Sequence, residues 1–279
     1  MNAAAATRHF GLPAMEETGE RMVPETSGKD AFWEHVYRYA FACRFAFGKR
    51  ILDIACGEGY GSAALQKAGA ARVIGVDISD RACSHAREKY GIDARIGGAE
   101  QIPLASASVD VVVSFETIEH VPNPRRFLDE CARVLAPRGR LIISTPNKDV
   151  YPGPRSKPNP YHCSEMTEQE FVAALRSGFS SLQLYTQRPR SAVPWSPRIL
   201  AAEDIPPIRG LGRLRRSARF RLFPRAVYDP TEAERISIVD VILAGSSKWT
   251  QVLNPYAVRR QARWHREEST YFVAVSTRP

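Results

Sequence analysis

Residues 50–77 read RILDIACGEGYGSAALQKAGAARVIGVD, and this stretch decides the fold. Ile51, Leu52 and Ile54 form one apolar run and Val73, Ile74 and Val76 another. Continuous apolar runs of this length suit parallel strands covered on both faces, which need not alternate. The segment between them is helix-compatible, so the stretch reads as a βαβ unit. Gly57, Gly59 and Gly61 fall where strand passes into helix. Glycines there allow a tight turn and close approach of a ligand, while the helix start supplies N–H donors. Asp77 closes the second run eighteen positions after Gly59. A carboxylate at that strand end can accept hydrogen bonds from ribose hydroxyls, so the unit reads as a nucleoside-binding half.

The kind of nucleoside follows from spacing. A dinucleotide fingerprint counted from Gly57 needs glycine at the sixth place, where Ser62 stands, so a nicotinamide oxidoreductase is disfavoured. Counted from Ala55 the turn is A-C-G-E-G, with alanine at the first glycine position of a G-x-G-x-G turn.

The 279 residues, 44% hydrophobic, suffice for one substantial core and an appendage. No apolar run approaches the ~20 residues of a membrane span, and the opening residues lack a secretion signal, so a cytoplasmic location is expected. Five scattered cysteines, Cys43, Cys56, Cys83, Cys131 and Cys163, form no C-x-x-C pair and read as reduced thiols used in packing. Residues 188–228 contain ten arginines against Glu203 and Asp204 alone, so most of the +9 net charge is concentrated there.

Outward from the βαβ unit, residues 1–28 read as a flexible segment. Residues 30–47 carry Phe32, Val36, Tyr39, Ala40 and Cys43 at helical spacing, with Tyr37 and Arg38, and Arg21 before them, placed to close over a ligand or to face solvent. A helix follows Ser79 or Asp80 and stops before Gly91, and a short strand is expected at 94–96. Residues 109–115 form a β-branched central strand, followed by a helix over 124–135 that stops at Pro137 and Gly139. Further strands are expected at 140–144, 180–187 and 271–276, with a Thr167–Glu170 capping box opening a helix to Arg176. Alternating strands and helices predict a doubly wound α/β sheet whose ligand site lies outside the carboxyl ends of its strands. The proline-rich loop with prolines at 152, 154, 158 and 160 leaves that rim toward a second substrate. Residues 29–188 plus 270–279 make one domain, interrupted by an arginine-rich insertion over 189–269 that exceeds any ordinary connection.

Together LDIACGEGYG, GVDIS, GGAEQIP, DVVVSFETIEHV and RVLAPRGRLIISTPN resemble the class I S-adenosylmethionine-dependent methyltransferases of the type 11 branch. TGERMVPE, EHVYRYAFA and NPYHCSEMTEQEF further resemble bacterial methyltransferases of surface glycans and glycosylated products. The resemblance implies a seven-stranded Rossmann-like sheet with an antiparallel last strand, and S-adenosyl-L-methionine as cofactor. It places the methionine part by Asp53, Gly57 and Gly59, the ribose on Asp77, the adenine beside Ile78, Ala99 and Glu100, and the sulfonium near Phe115 and Glu116. Many relatives carry an acid for the adenine amino group where this chain has Gly98. The activity implied is O-methylation of a sugar hydroxyl, the alternative being a non-sugar metabolite such as a polyketide or quinol.

His120, at the rim after the central strand, is the expected general base, and His162 on the proline-rich loop its second, since imidazole titrates near neutrality. No metal is called for; Glu116, Glu119 and Asp149 are the oxygens that a magnesium ion would find at the rim. Arg213, Arg215, Arg216, Arg219 and Arg221, interleaved with leucine and phenylalanine, suit an anionic membrane surface at the inner face, a phosphate-bearing substrate or a subunit contact. No RNA-binding module is present, so nucleic acid is not expected, and a homo-oligomer is open.

Overall fold

Both apolar runs of the opening stretch are strands in the computed structural model, which describes residues 29–151, 159–187, 238–245, 258–260 and 271–279. In chain order the elements are α1 (Lys29–Cys43), β1 (Arg50–Ile54), α2 (Tyr60–Lys67), β2 (Arg72–Asp77), α3 (Asp80–Tyr90), β3 (Asp93–Ile96) and β4 (Val109–Ser114). A 3-10 turn (Ile118–His120) leads to α4 (Pro124–Val134), β5 (Leu135–Pro146), α5 (Glu168–Arg176) and β6 (Ser181–Gln187). The chain ends with α6 (Ile238–Gly245), β7 (Arg259–Arg260) and β8 (Tyr271–Thr277). Strand order is β3-β2-β1-β4-β5-β8-β6-β7. Strands β1 to β5 are parallel, and β8 enters antiparallel to both β5 and β6. To the seven expected strands the structure adds the two-residue β7 on the edge of β6.

Side chains of a strand alternate between faces, and here both faces are covered. Ile51, Val73, Val111, Val113, Ile142 and Val273 meet Val36, Tyr39 and Ala40 of α1 and Val239 and Ile242 of α6. Leu52, Ile54, Val76, Val112, Leu141 and Ile143 meet Phe127, Leu128 and Cys131 of α4 and Phe171 and Leu175 of α5. This two-sided burial is why the strands read as unbroken apolar runs. Helix caps follow the sequence closely: the Ser79 hydroxyl accepts from the Ala82 amide, Gly91 closes α3 at φ 66°, and Thr167 and Glu170 form a capping box.

Two elements differ from expectation. Helix α4 does stop ahead of Pro137, but β5 begins at once with Leu135 rather than at residue 140. Leu135 pairs with Val109, and regular pairing resumes only at Arg140 with Val111, so Ala136–Gly139 bulges out with Arg138 at φ 61°. A bulge is one of the few places where a strand admits proline. In the insertion, α6 packs on α1 and α2, with Lys67 Nζ 2.6 Å from Asp240 Oδ1, while β7 extends the sheet. These two pieces of residues 189–269 therefore belong to the sheet-and-helix body. Residues 1–28 and the Arg213–Arg221 cluster lie outside the described residues.

Helix α1 is keyed to α2 at Gly61, where an added Cβ would lie 2.1 Å from the Tyr39 ring. Gly61→Val is expected to cost roughly 1–3 kcal/mol, because overpacking a close helix contact displaces buried groups. A thermal melt should fall by several degrees, and an unchanged midpoint would contradict this packing.

Candidate active site

Strand order reverses between β1 and β4, and outside the carboxyl ends of these strands lies a cavity of about 930 Å³. Its size is near the upper end of the ~300–1,000 Å³ usual for ligand pockets. Gly57, Asp77, Ile78, Ala99, Glu100, Phe115, Glu116 and His120 all line it. Asp53 and Gly59 do not; they stand behind the wall.

The turn after β1 owes its shape to Asp77. The Gly57 amide donates to Asp77 Oδ2 at 2.8 Å, and the Ser79 amide donates to Oδ1 at 2.9 Å. Each carboxylate oxygen accepts about two hydrogen bonds, so capacity remains on the cavity side for hydroxyls. Ala55 at φ 57° and Gly57 at φ 55° adopt left-handed backbone, so alanine here occupies a conformation that glycine takes readily. Gly59 caps α2 at φ 89°, and a Cβ there would meet the Ala86 side chain at 2.5 Å. Its role is close approach of α2 to α3, not contact with the cavity.

Asp53 is fully buried under the turn, accepting from the Ser62 hydroxyl at 2.6 Å and the Tyr39 hydroxyl at 3.2 Å. Burial pushes its pKa up to about 7, against the opposing pull of those two hydrogen bonds. It anchors α1 and α2 to β1.

Tyr39 is also part of the cavity wall, with His35 one turn before it. The rings of Tyr60 and Phe115 meet Tyr39 edge-on at 5.6 and 5.1 Å. His35 Nδ1 lies 3.2 Å from the Tyr60 hydroxyl, and burial, helped by the nearby Arg38 charge, lowers its pKa well below the ordinary value, so the ring is neutral. Sequence reasoning singled out Tyr37 and Arg38 instead. Both are buried away from the cavity: Arg38 donates to Gln187 Oε1 at 3.0 Å, lies 3.6 Å from Glu116 Oε1 and stacks over Tyr271. Residues i and i+4 share a helix face, so the 35/39 pair was the available signal. Arg38 holds Glu116 in place, together with the Ser144 hydroxyl, which donates to Glu116 Oε1 at 2.5 Å. Glu116 itself sits at φ 51°, the kind of strained backbone found at ligand clamps.

On the β2–β3 side, Ile78 is 80% exposed and Ile96 54% exposed, two large apolar side chains of the wall that a planar ring would cover. Glu100 is partly committed, accepting from the Asn123 amide at 2.7 Å. At Gly98 a Cβ would find open space.

The acceptor side is built by the 3-10 turn and residues 159–166. The Cys163 and Ser164 amides donate to the Glu119 carbonyl at 2.7 and 3.0 Å, tying the loop to the turn. This brings His162 to His120, ring centroids 4.8 Å apart. His120 Nδ1 is 3.2 Å from the Tyr161 carbonyl, and His162 Nδ1 is 2.7 Å from Glu165 Oε1. Carbonyl and carboxylate only accept, so each Nδ1 carries the proton and each Nε2 is the basic nitrogen. Prolines 152, 154 and 158 lie outside the described residues, as does Arg21. Cys56, in the turn, is buried, and its thiol pKa is pushed up by that burial, consistent with packing rather than nucleophilic use.

A doubly wound α/β fold with a cavity at its switch point is the arrangement in which such folds hold nucleoside ligands. The methyltransferase domain model matches residues 52–143. A probable S-adenosylmethionine-dependent methyltransferase of Mycolicibacterium smegmatis is 34% identical over 227 residues, covering 70% of this chain and 86% of the relative. A ubiquinone biosynthesis O-methyltransferase of Idiomarina loihiensis is 39% identical over 113 residues, 37% of this chain and 45% of that protein. Among solved structures, a SAM-dependent methyltransferase of Thermotoga maritima superposes with a TM-score of 0.53 at 19% identity, covering 88% of this chain and 93% of that one. The chain belongs to the S-adenosylmethionine-dependent methyltransferases, and S-adenosyl-L-methionine is its cofactor.

The donor set fits that cofactor: Asp77 would accept from ribose hydroxyls, Ile78 and Ile96 would cover adenine, and the aromatic faces with Glu116 would favour a cation such as a sulfonium.

Asp53 has a pH signature. Its folded-state pKa of about 7 lies above the ordinary 3.8, so the folded protein keeps a proton that the unfolded chain releases. That contribution is complete below pH ~4 and is lost as pH rises through ~7, amounting to roughly 4 kcal/mol at most. Urea midpoints of wild type and Asp53→Asn at pH 5 and 8 should show a smaller loss in the variant; equal slopes would contradict the assignment.

Proposed function

We propose that this methyltransferase transfers the methyl group to an oxygen, and that the acceptor is a sugar hydroxyl in a glycan, a lipid-linked glycan or a glycosylated metabolite. The observation that supports an oxygen acceptor is His120, which lines the cavity with Phe115 and Glu116 and has the His162 ring against it, 4.8 Å between centroids. A hydroxyl is a poor nucleophile until its proton leaves, and an imidazole in the cavity wall can receive it. Tyr161, whose carbonyl meets His120 Nδ1, is exposed and offers an apolar ring face of the kind that packs on sugar C–H groups. S-adenosylmethionine supplies an electrophilic methyl group on a positively charged sulfur. The chain's own residues position the donor, exclude water and hold the acceptor in line. Positioning can contribute ~7–11 kcal/mol, whereas a base adds ~10²–10⁴-fold, about 3–5 kcal/mol, so alignment dominates.

A second reading, a quinol-type acceptor, is favoured by the similarity to a ubiquinone biosynthesis O-methyltransferase. We place the enzyme in the cytoplasm, with the arginines at 213, 215, 216, 219 and 221 drawing it to an anionic membrane surface or a phosphate-bearing acceptor. A panel of glycans, nucleotide sugars and quinols offered with radiolabelled methyl donor separates the readings: label in a sugar fraction supports the first, and label only in quinols overturns it. His120→Ala is expected to lower turnover at least ~10²-fold with cofactor affinity intact. Near-wild-type turnover would remove His120 from the chemistry.

A further inference from the structure

A second cavity, of about 310 Å³, opens near the amino ends of β1, β2 and β4, away from the strand ends that carry the cofactor. Three arginines from three strands line it: Arg50 and Arg72, the first residues of β1 and β2, and Arg95 of β3. Arg50 and Arg72 are neighbours in the parallel register, where like charges repel.

Each guanidinium is braced by a carboxylate that does not itself line the cavity. Arg50 donates from Nε and Nη2 to Asp110 at 3.1 and 2.7 Å. Arg95 donates from Nε and Nη2 to Asp93 at 3.0 and 2.9 Å, and Arg72 from Nη2 to the same carboxylate at 2.8 Å. Ion pairs this exposed contribute little to stability, so holding the fold does not account for three guanidiniums gathered on one concavity. The Nη1 group of each has no acceptor among the described residues. Ser108, also in the lining, has a buried hydroxyl with no hydrogen-bond partner among the described residues, and such an atom calls for an explanation. Lys49, exposed beside Arg50, adds its charge near Asp110. Four cations thus stand with two carboxylates, and the surplus of positive charge suits a dianion.

We propose that this cavity binds the phosphate group of a small phosphorylated molecule, held by Arg50, Arg72, Arg95 and the Ser108 hydroxyl. The guanidinium fork matches phosphate oxygens with paired donors, which a carboxylate or halide uses less fully. Because Asp93 and Asp110 already fix the three side chains, little rotamer freedom is lost when the anion arrives. The rest of the lining is apolar, with Ile51, Ile74 and Leu104, and accepts a short carbon skeleton beside the phosphate. At about a third of the volume of the cofactor cavity, the space does not take a second ligand of cofactor size. Pro103 lines both cavities, so the phosphate sits behind the loop that walls the cofactor.

The test is calorimetry on the full chain with inorganic phosphate and glycerol phosphate as probes, at constant ionic strength and with S-adenosylhomocysteine filling the cofactor cavity. Saturable binding of one equivalent is expected. Arg72→Gln and Arg95→Gln should each weaken it at least about 10-fold, and Ser108→Ala more modestly. Both arginine variants remove exposed groups, so their thermal midpoints and their affinity for S-adenosylhomocysteine should match wild type, which separates loss of the site from loss of the fold or of the methyltransferase reading. Arg215→Gln with Arg216→Gln, in the basic cluster elsewhere in the chain, should bind phosphate as wild type does. No saturable binding of either probe, equal affinity in wild type and both arginine variants, or loss only in the 215/216 variant overturns the site. Sedimentation with phosphatidic acid vesicles separates the sources of the phosphate: vesicle binding that depends on Arg72 and Arg95, without binding of glycerol phosphate, overturns the small-molecule assignment.

Discussion

Two hydrogen bonds to one carboxylate hold this molecule's chemistry together. Asp77, at the end of β2, accepts from the Gly57 amide after β1 and from the Ser79 amide at the start of α3. A side chain at one strand end thereby shapes the backbone at its neighbour's end. Charge-assisted bonds of this kind are roughly twice as strong as neutral ones, and here they set the left-handed turn on which the cavity opens. Take the carboxylate away and the turn loses its template and the cavity an acidic acceptor in its wall.

Outward from that point the site is stabilised by buried polar groups that connect distant parts of the chain. Asp53 joins α1 to α2 through Tyr39 and Ser62. Arg38 joins α1 to the rim through Glu116 and to β6 through Gln187, which itself donates to the Glu34 carbonyl. Because Arg38 is buried, removing Glu116 would strand a charge, a loss larger than the value of the pair itself. Such a lattice fixes the aromatic wall of Tyr39, Tyr60 and Phe115 against the carboxylates, giving a cation-tolerant surface that does not need to reorganise. Alignment, the dominant contributor to methyl transfer, is thus a property of the core as much as of the cavity.

How much of this could be read from residues alone depended on the range of the interaction. Strands with two buried faces announce themselves as apolar runs, and the caps at Ser79, Gly91 and Thr167 are local, so they were legible within a residue or two. Gly57, Asp77, Glu100 and Glu116 were legible because rim position follows from strand ends, whereas Thr145, placed at the rim by the same reading, is buried off the cavity; Ile78 and Phe115 came with the family resemblance. Proline and glycine at 137–139 read as a break, whereas the sheet absorbs them in a bulge, a choice made by pairing with β4 and invisible in a window of sequence. Asp53 sits one step from the turn in sequence but below it in space, because alternation along β1 sends its side chain inward. Glu119 looked like a rim oxygen and proves to be buried, its side chain accepting from Thr145 and its carbonyl from the Cys163 and Ser164 amides, the latter contacts made only when residues 159–166 dock on the turn. Likewise α6 meets α2 across 173 positions, at Lys67 and Asp240, and β7 pairs with β6 far back in the chain, at Arg260 and Tyr185, which no local pattern records.

The account stands on Asp77 as the bridge between turn and cofactor. Calorimetry of S-adenosylmethionine and its demethylated product with wild type and Asp77→Asn tests it directly. Asparagine keeps the size but loses the charge, so the account predicts saturable binding to wild type and a drop of at least about 10-fold in the variant, equivalent to ~1.4 kcal/mol. No binding to the wild-type protein, or equal affinity in both, would contradict it.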